Sequence, residues 1–333
     1  SDEQAKEIKE MDGIKNVYPN FIIYPTSVES PPIIDKDGYW QYDKILNICS
    51  RGSEDCFTGN GTTIGILDYG VDYTHSDLGN CTIKQFSSGK CAKVVSGFKG
   101  DNPMDTEGHG TKLASVAAGK GILRGVAPDA TIVALRMAST QSNNPNLGNM
   151  LNALEASVDP NNDKDFSDHL DVISISWTSG NNPNSNYAKS FDNVVDAGVV
   201  VVFAAGNSGP FDFSITGALR KAIVVGAVDN KDNIAVFSSR GPVFWMDNHG
   251  FLNYLAKPDI VAPGVAVCAA KWNGISKDNP SNCYDDTHIS SQGTSLSAPF
   301  VAGVAALLKE KNPDWTPDEI KQTILNTAKD IGE

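Results

Sequence analysis

A chain of 333 residues, 40% hydrophobic and 20% charged, holds enough apolar material for one large buried core or two smaller ones. Its formal net charge of -13 excludes the basic face that nucleic acid requires. No apolar run reaches bilayer-spanning length, so no membrane partner is expected. The six cysteines fall into three local groups: Cys49 with Cys56, Cys81 with Cys91, and Cys268 with Cys283. None has the C-x-x-C spacing of a metal or redox site. Their even number and grouping point to three small-loop disulfides and a secreted or otherwise extracytoplasmic protein, this pairing being one choice among several. The sequons at Asn60 and Asn80 agree with export.

Taken in order, Ser1 to Met11 reads as a short polar helix, Asp12-Gly13 as a turn and Ile14 to Tyr24 as an extended segment. Pro25 to Pro32, with three prolines, reads as an exposed linker. A helix and one strand form no core by themselves, so this piece packs on something else or is a fragment. From Thr62 the pattern changes. Thr62–Asp68, Lys93–Phe98, Thr131–Arg136, Val172–Ser176, Val199–Ala204 and Ile223–Val228 are short apolar runs of strand length. Helix-like segments lie at Thr111–Ala118, Leu147–Val158 and Tyr187–Ala197, with closing helices at Ser295–Glu310 and Thr316–Thr327. Continuous rather than alternating hydrophobicity in the strands means that both faces are covered. The fold class is therefore α/β, a doubly wound, mostly parallel sheet flanked by helices, with ligands expected beyond the carboxyl ends of the strands.

Four residues fall where that rule wants a site. Asp68 ends the run TTIGILD, where a half-buried carboxylate must be paired or hydrogen-bonded. Alone it would be read as a turn former. His109 stands between glycines directly before an apolar helix; the other four histidines, His75, His169, His249 and His288, fall in polar stretches and read as solvated. Asn207 follows the buried run Val199–Ala205 and could cap a turn or aim its NH₂ at a developing oxyanion. Ser295 opens a helix that carries no charged or amide side chain from Ala298 to Leu308 and is expected to be buried all round. Pro299 is expected in its first turn, leaving only the Ser295 carbonyl without a ladder partner. A lone serine there would be an N-cap. With an aspartate and a histidine earlier in the chain it is a candidate nucleophile, in the order Asp–His–Ser.

Through ILDYGVDYTHSDL, GHGTKLASVAAG, AAGNSG and GTSLSAPFVAGVAAL, together with SSRGP and KPDIVAPG, the chain resembles the subtilisin-like serine peptidases from about Gly61 to Ile331. The resemblance implies a serine endopeptidase with a subtilisin-like three-layer sandwich. Asp68, His109 and Ser295 would be its triad and Asn207 part of its oxyanion hole, while Ser176, Trp177, Thr178, Ala205 and Gly206 would contact an extended polypeptide substrate. It also implies a division of the chain. Residues 1–25 would be a partial inhibitory propeptide, 26–42 a linker with the processing region, and 43–333 the peptidase domain without its final segment. The enzyme would then be an autoprocessed zymogen, monomeric, with its own propeptide as inhibitor. No cofactor is needed for such catalysis and no catalytic metal is expected. Structural calcium is possible but not indicated, because the link from the His109 helix to Gly125 is too short for the calcium loop of many relatives.

The chain departs from the family pattern in several places. Tyr69 replaces a Ser or Thr, Lys112 a His, Leu296 a Met, and Thr178 and Ser179 a pair of glycines. The loop between Asn207 and Ile223 is short as well. The alternative reading is a catalytically impaired member of the fold that serves as a binding or chaperone-like module. An α/β-hydrolase esterase fails on chain order and on the lack of any G-x-S-x-G.

Overall fold

The computed structural model describes residues 21–22, 57–98, 101–137, 147–177, 182–210, 219–247, 249–274 and 282–331. The strands among them are β1 (Phe21–Ile22), β2 (Thr63–Asp68), β3 (Val94–Ser96), β4 (Thr131–Arg136), β5 (Val172–Ile175), β6 (Val200–Ala204) and β7 (Ile223–Val228). They continue with β8 (Val243–Met246), β9 (Leu252–Leu255), β10 (Ile260–Pro263), β11 (Val267–Ala270), β12 (His288–Ser291) and β13 (Lys329–Asp330). The helices are α1 (Ile83–Ser87), α2 (His109–Ala118), α3 (Leu147–Val158), α4 (Asn186–Asp196), α5 (Thr294–Lys311) and α6 (Pro317–Thr327). The six apolar runs and five helical segments read from the sequence fall on β2 to β7 and α2 to α6 within a residue or two.

Nine strands form one sheet in the order β13-β1-β10-β7-β6-β5-β2-β4-β3. Its neighbours are parallel except β13, which runs antiparallel to β1. Because successive side chains of a strand point to opposite faces, each run supplies two cores. Ile64, Ile66, Ile132, Ala134 and Val202 join α2 and α5 on one face. Leu67, Val133, Leu135, Ile173 and Phe203 join α3 and α4 on the other. The doubly wound sandwich expected from the unbroken apolar runs is thus the fold observed.

Helix α5 is the central element of its layer, packing against α2 and against β5, β6, β7 and β10. It begins at Thr294, so Pro299 lies one turn further in than the sequence reading put it. Gly303 lets α5 approach α2 closely. A Cβ there would sit 2.5 Å from Val126 Cβ and 3.0 Å from the Ala117 carbonyl oxygen. Helix α6 starts as expected, with a capping box between Thr316 and Glu319 and Pro317 in its first turn. A buried ion cluster moors it to the sheet. Asp259 accepts from Lys257 Nζ at 2.6 Å and from the Val224 N–H at 2.7 Å, and Lys321 Nζ stands 3.4 Å from its other oxygen. Burial draws the Lys257 ammonium down to about 7 despite that carboxylate.

Two antiparallel hairpins, β8–β9 and β11–β12, lie outside the main sheet. The disulfides Cys81–Cys91 and Cys268–Cys283 are formed as expected, the second tying β11 to the segment before β12. The Cys49–Cys56 pairing and the processing region fall outside the described residues. So does the polar helix expected at the start of the chain; of the extended segment after it, Phe21–Ile22 is a strand. Gly303→Ala should lower stability by about 1–3 kcal/mol through overpacking against Val126. The check is a reduced urea midpoint at unchanged slope.

Candidate active site

Asp68 is the last residue of β2, so its side chain emerges at the carboxyl edge of the sheet and is fully buried. One carboxylate oxygen accepts the Tyr69 N–H at 2.9 Å; the other lies 2.8 Å from His109 Nδ1. His109 is the first residue of α2, and its side chain keeps 31% of its surface exposed, leaving the ring edge open. Burial of the ring opposes its protonation. The Asp68 charge and hydrogen bond outweigh that and hold the imidazole above the ordinary histidine value. The bond to Asp68 puts the neutral ring's proton on Nδ1 and leaves Nε2 as the basic atom.

Ser295 is the second residue of α5 and is half-buried. Asn207, three residues beyond the end of β6 in the loop that follows Ala205 and Gly206, is held by its amide oxygen. That oxygen accepts the Thr294 N–H at 2.9 Å and the Thr294 hydroxyl at 3.0 Å. The amide NH₂ is thereby turned toward the mouth of α5. Gly293 marks the convergence, because a Cβ on it would lie 3.0 Å from Ser295 Oγ and 3.3 Å from Asn207 Nδ2. Only a residue without a side chain leaves that spot free, and at φ 141° only glycine sits there without strain.

Two of the expected substrate-side residues, Ser176 and Gly206, bond to the start of α5. Ser176, just past β5, donates its hydroxyl to the Ser295 carbonyl at 3.2 Å. That carbonyl lost its ladder partner to Pro299 four residues on. The Gly206 N–H donates to the Thr294 hydroxyl at 3.1 Å, and Ala205 is fully buried in the β6 register. Trp177 packs edge-on against Tyr69, with ring centroids 5.3 Å apart, directly beside Asp68. Thr178 and Ser179 lie outside the described residues. Sequence reasoning passed over Thr294, whose hydroxyl orients both Asn207 and Gly206. Its position beside Ser295 in GTS was the available signal.

Two histidines read as solvated are not. His75 and His288 are 3% and 0% exposed. His288 belongs to β12, whose pairing with β11 carries it inward. Its Nε2 meets Asp77 at 2.8 Å and its Nδ1 meets Asp285 at 2.7 Å, an arrangement suited to an imidazolium. Asp77 also accepts the Ile122 N–H at 2.8 Å, so the clasp ties the short link after α2 to β12. His75, His288 and Asp77 are the one group of potential metal ligands among the described residues. Their donors are already spent. His75 Nδ1 accepts the Asp77 N–H at 3.1 Å and Nε2 faces the Thr287 carbonyl at 2.9 Å, which fixes the tautomer and leaves no lone pair for a cation. His169 is half-buried, with Nδ1 against the Leu170 carbonyl, and His249 is exposed as expected.

A family model described as the subtilase family matches residues 59–333. The serine protease AprX of Bacillus subtilis is 32% identical over 290 residues, covering 81% of this chain and 61% of its own length. Subtilisin Savinase of Lederbergia lenta is 32% identical over 279 residues, covering 83% of this chain and 86% of that sequence. The chain thus spans about three-fifths of the length of the first curated relatives it matches. Among solved structures, a protease from Pseudoalteromonas arctica superposes with a TM-score of 0.62 at 23% identity, covering 82% of this chain and 84% of the other. A cold-adapted subtilisin-like serine proteinase gives 0.59 at 24% identity, with the same coverage. At those identities the likeness is one of fold.

The clasp at His288 gives a pH signature. Burial disfavours its charge, but the bonds to Asp77 and Asp285 raise its proton affinity above that of an unfolded-chain histidine. The stabilisation is complete below the ordinary histidine value and is lost as pH rises through the higher folded value. Urea midpoints of the wild type should fall more steeply from neutral into alkaline pH than those of His288→Gln, which starts lower and stays flatter.

Proposed function

Since the chain belongs to the subtilase family, we propose that it is a serine endopeptidase acting on extended polypeptides through Asp68, His109 and Ser295. The observation that carries this reading is the 2.8 Å bond from His109 to a fully buried Asp68, which sets the ring up as a base. In the proposed reaction His109 Nε2 takes the Ser295 proton as Oγ attacks the peptide carbonyl. It then returns that proton to the leaving amine, while Asp68 remains ionised and stabilises the imidazolium. The Ser295 N–H at the positive end of α5 and the Asn207 NH₂ donate to the oxyanion. Water then hydrolyses the acyl-enzyme by the same steps in reverse order of roles. The chain's own backbone and side-chain groups suffice for this chemistry, with no cofactor.

Several further points belong to the same proposal. Ser176 and Trp177, with Thr178, form the edge along which substrate backbone pairs as an added strand; Ala205 and Gly206 form the facing wall. Residues 1–25 belong to an inhibitory propeptide, removed by the enzyme itself. The active protein is a secreted monomer, in keeping with its disulfides. The impaired binding-module reading draws on Tyr69 beside Asp68, and a serine-directed probe separates the two.

Ser295→Ala should abolish casein hydrolysis and fluorophosphonate labelling, a loss on the order of 10⁶ in kcat on the scale set by subtilisin itself. Asn207→Ala should cost about 10²–10³ in kcat with little change in KM, again on the subtilisin scale. A Ser295→Ala variant as active as wild type would overturn the proposal. Because only neutral His109 can act as base, kcat/KM should rise with pH through the raised His109 value. Its acid half-point should lie above the ordinary histidine value, and a half-point well below it would contradict the pairing with Asp68.

A further inference from the structure

We propose that Asp105 is a positioning residue for His109, bracing the backbone on both sides of the imidazole. The proposal rests on the catalytic reading above and extends it to a residue that touches neither substrate nor reacting atoms.

Asp105 is 2% exposed, yet its carboxylate meets no lysine or arginine among the described partners. Four donors surround it instead. One oxygen accepts the Glu107 and Gly108 N–H groups, both at 2.9 Å. The other accepts the Thr111 N–H at 2.9 Å and the Thr111 hydroxyl at 2.6 Å. These donors lie one and two residues before His109 and two residues after it. The N-cap position before helix α2 is Gly108, which has no side chain to cap the helix. Asp105 therefore does the capping from three residues upstream, and the helix start it caps is the residue that carries the imidazole.

The brace reaches further. The Thr111 hydroxyl that donates to Asp105 accepts the N–H of buried Asp72 at 3.0 Å, and Asp72 lies in the segment following β2. His109 is thus fixed relative to the strand that ends in Asp68 by two routes, its own ring bond and the Asp105–Thr111–Asp72 chain. Charge adds a second effect. His109 faces Asp68 from β2, Lys112 from its own helix and Asp105 from the preceding turn. The two carboxylates favour the imidazolium and the lysine opposes it.

Asparagine at this position cannot reproduce the arrangement. It offers one acceptor oxygen, and its NH₂ would face two of the donors. The test is the second-order rate of fluorophosphonate inactivation across pH for the wild type, Asp105→Asn and Thr111→Val, each corrected for folded fraction by circular dichroism. Asp105→Asn should react about 10- to 100-fold more slowly on the plateau, the scale of a misplaced general base. Its acid limb should also move to lower pH, because a negative charge beside the imidazolium is gone. A purely structural residue would not move the limb. Thr111→Val, which removes only the hydroxyl arm, should show a smaller loss of plateau rate and decides the matter if Asp105→Asn does not fold. Wild-type plateau rate and limb in Asp105→Asn, or a wild-type rate in Thr111→Val when the other is unfolded, overturns the positioning role. A wild-type enzyme that fails to react at any pH overturns the catalytic reading beneath it, a distinguishable result.

Discussion

Burying a carboxylate is costly unless donors surround it, and this molecule does so five times among the described residues. Asp68, Asp72, Asp77, Asp105 and Asp259 are each 5% exposed or less. Four of them come from the stretch between the end of β2 and the start of α2. Each is answered differently: Asp68 by an imidazole, Asp72 by backbone N–H groups of Thr74 and Asn273, Asp77 by His288 and the Ile122 N–H, Asp105 by the turn that carries His109. Loops that would otherwise drift above the sheet are pinned because these charges must be satisfied. The geometry of the proposed reaction centre follows from that requirement.

The rest of the scaffold works by apolar exclusion. The β2 to β7 strands send alternate residues into two separate cores, and α5 fills one of them with scarcely a polar atom. Polar groups are confined to the carboxyl edge, where strands stop and helices begin. Asp68, His109, Asn207 and Ser295 all lie at such junctions, far apart in sequence, and it takes a long-range fold to pair Asp68 with His109 and Asn207 with the start of α5.

Much of this was legible in the amino-acid order. An unbroken run such as Ile223–Val228 can be satisfied only between two layers, and its boundaries are those observed. Asp68 and Ser295 stood out because each interrupts an apolar stretch at its end. His288 did not, because its burial depends on pairing with a strand that lies across a long loop, and its local neighbours Asp285, Asp286 and Thr287 look like surface. The hairpin of β8 and β9 was equally hidden. Its strands are mostly half-exposed and carry no clean alternation. Asp105 sits among Asn102, Thr106 and Glu107, so nothing local set it apart until its four donors were seen together.

The proline inside α5 has an effect beyond helix geometry. By lacking an N–H it releases the backbone oxygen of Ser295, and the Ser176 hydroxyl occupies that oxygen. The segment proposed to align an incoming peptide is therefore anchored to the proposed nucleophile itself rather than to the general scaffold. Under the proposed reaction, thermal breathing of one would carry the other along, so the distance between scissile bond and attacking atom would be insulated from looser motions elsewhere in the molecule.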